Sequence, residues 1–349
     1  TDTSKLIFDR EALLGVSITG WMNNPDILFD ENILEKGAKI VKEVNKEVAQ
    51  IIGINAAART TCVKPSGNAS VLLQTASGIH AEHSNMYIRN VQMNKESEIT
   101  QAIMKTNPYM VEDSVWSAGG TDVVVSFPIL PKKGSMYKDD LLGVKHLELV
   151  KKAQKHWVEA GTNEDLCADK GVRHNVSNTI IVDDWDEVEK YVFENRHSFA
   201  GISFLAMSGD KDYNQAPNTA VITAKDMVKK YGNAAVFASG MVVDALKCFN
   251  NLWDACSTAK GFGQDISLET SENAMKRDWV RRFKKFADNY LNEDTMLAEY
   301  CLKDAYLLHK WNKIQSTLKT VDWKEDIKER KYTDVDTLAA AACAGGACE

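Results

Sequence analysis

No stretch of this chain is a membrane span. Its apolar runs are short and broken by charge, far below the roughly 20 residues a helix needs to cross a bilayer. Positive charge is in deficit. Lys and Arg number 42 against 49 Asp and Glu, for a net charge of −7 and a pI near 5.6, which leaves no electrostatic case for binding nucleic acid. No secretory leader is expected from Thr1-Asp2-Thr3-Ser4-Lys5, which has no apolar core. Paired cysteine spacing is scarce as well. Of the seven cysteines, Cys62, Cys167, Cys248, Cys256 and Cys301 stand alone, which excludes a disulfide scaffold and a zinc module. They read as small buried apolar side chains in a reducing, cytoplasmic setting. The chain starts with Thr rather than Met, so the expectation is a polypeptide processed, spliced or cut from something longer.

What is present suits a large soluble domain: 349 residues, 44% hydrophobic and 26% charged, enough to bury a sizeable core. Leu13–Trp21 is β-tending and punctuated by glycine. A helix follows, capped by Asp30 and closed by Gly53, with Ile33, Gly37, Ile40, Val44, Val48 and Ile51 forming one apolar face. Further strands are expected at Tyr87–Gln92, at Thr121–Phe127 with Pro128 and Pro131 as its stop, at Val172–Val182 and at Phe199–Met207. Helices are expected from Asp140 to Ala160 and from Trp185 to Glu194. Strands alternating with helices predict an α/β fold with a largely parallel sheet. From Met241 onward the spacing is helical. There Arg277, Arg281, Arg282, Lys284 and Lys285 make a basic stripe, best explained as a solvated helix face.

The most informative stretch runs from Arg59 to Leu73. Thr60, Thr61 and Val63 suit a strand, and Pro65 ends it by pushing Lys64 out of helical geometry. Ser66 is a good N-cap, and Gly67 lets a ligand approach the backbone. A helix starting at about Asn68 would then offer free N–H groups, with Ser66, Asn68 and Ser70 adding polar side chains. Such an end attracts phosphate, yet many helices begin this way and bind nothing, so a plain strand-to-helix turn stays open. It is not a P-loop, whose Lys follows the second Gly. His80 and His83 flank Glu82 too sparsely for a metal site, so no metal is expected. His174 and Asn175 lie on a strand near the end of an element, where a lone His is more often structural.

Lys64-Pro65-Ser66-Gly67-Asn68-Ala69-Ser70, followed by Ser77-Gly78-Ile79-His80 and Tyr87-Ile88-Arg89, resembles the adenosylcobalamin-dependent (class II) ribonucleotide reductases, especially the ribonucleoside-triphosphate type. Asn175-Val176-Ser177-Asn178-Thr179, Gly201–Leu205 and Tyr213–Pro217 keep the family's order. The resemblance implies that Lys64, Pro65, Ser66, Gly67, Asn68, Ala69 and Ser70 hold the substrate's phosphates. Asn68 departs from the family's usual Thr but stays polar.

Leu338–Glu349 has nothing to bury and reads as a mobile tail. Cys343 and Cys348 are separated by four residues that include Gly345 and Gly346. A flexible dithiol of this kind can exchange with a buried disulfide and be reduced outside; the other reading is an idle exposed pair. The reductases carry such a tail, re-reduced by thioredoxin. They also carry a radical cysteine in an Asn-Pro-Cys motif. Here Asn24-Pro25 is followed by Asp26, and Asn107-Pro108 by Tyr109.

The resemblance therefore implies a C-terminal portion of the enzyme. Residues 1–240 would form the second half of a ten-stranded α/β barrel, 241–330 a helical region and 331–349 the redox tail. Adenosylcobalamin would be the cofactor, and a ribonucleotide, thioredoxin and an upstream half of the reductase the partners. A class I large-subunit fragment, and a non-catalytic phosphate-binding domain with a redox tail, are the alternatives.

Overall fold

The computed structural model describes residues 1–12, 14–207, 209–261 and 271–323. The first elements are α1 (Asp2–Glu11), β1 (Val16–Ser17), α2 (Pro25–Leu28), α3 (Glu31–Ile52), β2 (Thr61–Cys62) and α4 (Gly67–Leu72). Then come β3 (Tyr87–Asn94), α5 (Glu98–Thr106), β4 (Val111–Asp113), β5 (Asp122–Ile129), α6 (Gly143–Ala153), β6 (Thr179–Val182), α7 (Trp185–Glu194) and β7 (Ser203–Ala206). The chain continues through β8 (Asn218–Ala220), α8 (Ala224–Tyr231), α9 (Ala234–Ala245), α10 (Leu252–Lys260), α11 (Ser271–Tyr290) and α12 (Thr295–Thr317). It divides into two compact units. One holds Thr1–Asn85 with Pro131–Ser208, the other Met86–Leu130 with the described residues from Gly209 onward. The expected boundaries at 240 and 330 divide the chain by role, whereas compactness divides it differently.

The first unit is a parallel α/β layer. β1 pairs with β2 and β6 with β7, all in parallel. A parallel bridge between Val63 and Val176 joins the two pairs. Parallel neighbours need crossovers, and α3 and α7 supply them. Asp30 caps α3 by accepting the Ile33 N–H at 2.9 Å, and Gly53 ends it in left-handed geometry at φ 77°. After α6 the chain winds through a π-helical turn, Gln154–Glu159, before Gly161. That turn is fastened to β2. Trp157 Nε1 donates to the Cys62 carbonyl at 3.0 Å and Thr61 Oγ1 donates to the Trp157 carbonyl at 2.6 Å. Gly161 is required here, because a Cβ would collide with the Thr61 side chain. Trp21, Leu34, Val63, Leu147, Trp157 and Ile180 anchor the core.

One expectation about this unit is corrected. The apolar face predicted for α3 is not the face it buries: Leu34, Ala38 and Ala49 are buried, whereas Ile33, Ile40, Val44, Val48 and Ile51 are 45–76% exposed. Periodicity reports which residues share a side of a helix. It does not report which side meets the neighbour.

The second unit carries an antiparallel sheet in the order β4-β5-β3-β8. The expectation of a largely parallel sheet therefore holds only for the first unit. β4 and β5 are joined by a short loop turned at Gly120, φ 63°, and so short a connection returns the chain antiparallel. Pro128 does not stop its strand either, since it pairs with Ile88 inside β5. β4 covers only Val123–Val125 of β5, so Pro128 sits where that side of the strand has no β4 partner, a position that tolerates a missing N–H. Helices α8 to α12 pack around Trp279, Phe283, Phe286, Leu252 and Leu302. The fully buried Asp304 is answered by Lys211 Nζ at 2.6 Å and by the Tyr231 hydroxyl at 2.6 Å, as a buried charge requires. In the predicted basic stripe, Arg281 and Arg282 pair with Asp278 and Asp244. All five isolated cysteines are free and buried, and burial pushes the Cys256 and Cys301 thiols up to about 12.

Candidate functional site

Because β1 and β2 run parallel, the segments that follow them emerge at the same end of the sheet, the usual place for ligands in α/β proteins. Ser17 and Thr19 leave β1 there, and Lys64–Ser66 leave β2. The two segments are stitched together by hydroxyl groups. Lys64 N–H donates to Ser17 Oγ at 2.9 Å and Ser66 N–H donates to Ser77 Oγ at 3.1 Å. Thr19 Oγ1 and Ser66 Oγ share a short hydrogen bond. Thr19 Oγ1 also donates to the Ala76 carbonyl at 2.9 Å and accepts the Gly78 N–H at 2.9 Å. Gly78 has φ +53°, and a Cβ there would stand 2.7 Å from the Lys64 carbonyl oxygen. That position is therefore closed to other residues while the loop keeps this path.

The strand–turn–helix reading of this stretch agrees with the structure, with one correction. Ser66 occupies the N-cap position of α4, but its side chain makes no capping bond. Its oxygen is drawn across to Thr19 and, at 3.3 Å, to the Gly78 N–H. The start of α4 therefore has no side-chain cap. Lys64, Pro65, Gly67, Asn68 and Ala69 are exposed, Ser66 is half-buried, and Ser70 is buried with its hydroxyl on the Gly67 carbonyl at 2.8 Å. A Cβ at Gly67 would meet open space. Lys64 makes no ion pair among the described residues. The result is an open turn with exposed backbone, one cation and a braced Ser66.

Behind the turn lies a buried polar brace. Asn23 Nδ2 donates to Glu82 Oε1 at 2.8 Å and to Ser135 Oγ at 2.9 Å, and its Oδ1 accepts from the Ala76 N–H and from Thr75 Oγ1. His146 Nε2 donates to the Ile79 carbonyl at 3.0 Å, and burial lowers its pKa to about 4. His80 turns back onto the Ser77 carbonyl, and His174 onto the Thr61 carbonyl. Burial is the main cause of the lowered pKa of His174. Among the described residues, no three His, Cys, Asp or Glu side chains are grouped to hold a metal.

Sequence reasoning missed Ser17, Thr19 and Asn23. They contact the loop from 47 or more residues away, where no local pattern marks them; the nearest signal was the glycine-punctuated run before Trp21. Asn24-Pro25 and Asn107-Pro108 prove to be helix starts, with Pro at the first position of α2 and of the 3-10 turn Pro108–Met110. Cys343 and Cys348 lie outside the described residues.

Fold and site together define an α/β protein whose parallel strands end in a serine- and threonine-braced turn. No protein-family model matches the chain. Individual proteins do. Over 163 residues it is 28% identical to a probable adenosylcobalamin-dependent ribonucleoside-triphosphate reductase of Dictyostelium discoideum, covering 45% of this chain and 21% of that protein. Over 224 residues it is 24% identical to an adenosylcobalamin-dependent ribonucleoside-triphosphate reductase of Euglena gracilis, covering 62% of this chain and 28% of that one. The crystal structure of a B12-dependent (class II) ribonucleotide reductase superposes with a TM-score of 0.53 at 16% identity, over 64% of this chain and 34% of the other. The resemblance read from the motifs is thus shown in sequence and in fold. The matched region spans only about a fifth to a third of each of these proteins. No helix among the described residues is long and apolar enough to cross a membrane.

Proposed function

We propose that this chain is a portion of an adenosylcobalamin-dependent ribonucleoside-triphosphate reductase, and that Lys64–Ser70 holds the substrate's phosphates. One observation supports the reading: the turn whose residues resemble the reductases' phosphate segment follows β2 at the C-terminal end of a parallel strand pair, uncapped and braced from β1. The first N–H groups of α4 would meet phosphate oxygens, and the Lys64 ammonium would offset their charge. Thr19 would fix the orientation of the Ser66 hydroxyl. In this reading the strands of the first unit belong to half of a ten-stranded barrel, completed by an upstream part that also holds the radical cysteine.

The donor set of the described residues neither requires nor opposes cobalamin, because a corrin brings its own ring nitrogens to cobalt. When bound, the cofactor supplies the radical. The substrate would be reduced at the 2′ carbon while two cysteine thiols close to a disulfide. One of the Cys343 and Cys348 thiolates would attack that disulfide and the other would resolve the mixed disulfide. The pair of electrons would pass to the reacting centre and the tail would be left oxidised for thioredoxin to reduce.

Two variants of the assembled enzyme test the reading. Ser66→Ala should raise KM for the nucleotide about fivefold to tenfold with kcat little changed, as expected for a contact made equally in ground and transition states; an unchanged KM removes the loop assignment. Cys343→Ser should keep a single turnover and lose thioredoxin-driven cycling. Normal cycling in that variant removes the tail from the mechanism.

A further inference from the structure

Tyr87-Ile88-Arg89 is one of the segments that resemble the reductases, and the proposed function gives it no task. Arg89 stands on β3, an interior strand of the second unit's sheet with β5 on one side and β8 on the other. Its ladder neighbours there are Phe127 and Asn218. The side chain is half-buried. A cation so placed loses part of its hydration, a cost that an acidic partner normally offsets. Other cations drawn below the surface follow that rule. Arg59 meets Glu11 at 2.6 Å and Arg173 meets Glu164 at 2.7 Å. Lys211 meets Asp304 and Lys303 meets Glu299, each at 2.6 Å. Arg89 breaks it, because its hydrogen-bond partners among the described residues are neutral. Its Nε donates to Asn218 Oδ1 at 3.4 Å, and one terminal nitrogen donates to the Tyr87 hydroxyl at 3.2 Å. Both bonds are long, so they steer the guanidinium more than they satisfy it.

These contacts leave a defined set of donors. A guanidinium carries five N–H groups in a planar fork, and the second terminal nitrogen of Arg89 donates to none of the described residues. Asn218 turns its oxygen toward Arg89, so its amide N–H groups are left over on the neighbouring strand. The set contains donors and positive charge and no acid. Solvent reaches this side of the sheet, for Val91 lies on the same face two residues along β3 and is 39% exposed. Donors of this kind suit an oxyanion. The fork takes two oxygens of one anion, and an amide on the next strand approaches from another direction. A carboxylate has both oxygens occupied by the fork, whereas a tetrahedral phosphate still has a third to offer.

We infer that Arg89 and Asn218 form a binding site for a phosphate group, built from residues other than those of Lys64–Ser70. The site does not rest on the function proposed above. Its occupant is inorganic phosphate or the phosphate of a nucleotide, which share the chemistry this set recognises.

Inorganic phosphate and ATP are titrated separately into the 349-residue chain by calorimetry, at constant ionic strength because salt screens such contacts. A Lys64→Gln background keeps the turn from contributing. Arg89→Gln should weaken the probe that binds about tenfold or more, as loss of a bidentate charge-assisted contact does. Asn218→Asp supplies the missing carboxylate and should weaken binding as much, with a melting temperature no lower than before; it also keeps the inference testable should Arg89→Gln misfold. Phosphate binding as tightly as ATP supports the site with the free ion as occupant, and ATP binding at least tenfold more tightly supports it with a nucleotide. Unchanged affinity in both variants overturns the inference. So does failure of both probes to bind the background chain. An equal loss in Arg196→Gln, at an exposed arginine, overturns it too, because the effect would then be one of general charge. The turn is tested by Lys64→Gln alone: no loss of binding there, with a response to Arg89→Gln, strikes the proposed phosphate loop and leaves this site standing, whereas the opposite pattern does the reverse.

Discussion

The two units build their interiors from different elements. In the second, Trp279 is fully buried, stacks on Phe283 and donates its indole N–H to the Met241 carbonyl at 2.9 Å. Tyr231, Val242, Leu252, Phe283, Phe286 and Leu302 converge on one core around it, while Val228, Val236, Phe237 and Val243 stay 48–70% exposed. In the first, strands of two to four residues carry a buried polar brace beside their apolar core, and the aliphatic stripe of α3 stays exposed. A helical core ties distant helices to one another. A polar brace behind short strands fixes the path of a loop.

The largest effect that would sharpen this contrast is expected in the second unit. Trp279→Ala should cost about 3–5 kcal/mol, read as a drop in urea midpoint and loss of helical circular dichroism. Little change would mean that the helices there do not depend on one core. Acid should act mainly on the first unit. Burial holds His146 near 4, against 6.5 when free, so the unfolded chain takes up a proton first. The neutral ring's contribution is complete above pH 6.5 and is lost as pH falls toward 4, at up to about 1.4 kcal/mol per pH unit. His146→Gln should flatten that slope in urea titrations at pH 7 and pH 5; an equally steep slope would place the acid sensitivity elsewhere. Gly78→Ala should cost about 1–3 kcal/mol from a forced left-handed residue, and its Cβ, which would stand 2.7 Å from the Lys64 carbonyl oxygen, should displace the loop. It should therefore weaken nucleotide binding by shifting Lys64. Unaltered binding would show that the loop path does not depend on that contact.

Much of this was legible in the sequence where the determinant is local. Asp30 and Gly53 bracket α3, and Trp185–Glu194 is helical as its pattern requires. The Lys64–Ser70 turn falls between strand and helix because Pro65 and Gly67 act on their immediate neighbours. What escaped is non-local. The Ser66 hydroxyl serves Thr19 rather than its own helix, since a better geometry is offered from another segment. Pro128 sits inside a strand because β4 is too short to reach it. The unused side of α3 looks, residue by residue, like a side that is used.

The interleaving of the units also sets an order of events during synthesis. The His174 ring reaches the Thr61 carbonyl across 113 residues, and Val63 meets Val176 only after the whole Met86–Leu130 segment has been made. β2 and its loop must therefore wait, unpaired on that side, while more than a hundred residues leave the ribosome. Such distant pairings close slowly, and an exposed strand is at hazard of aggregation meanwhile. A pause in translation once β7 has emerged would give the nascent first unit time to close before the helices of the second follow.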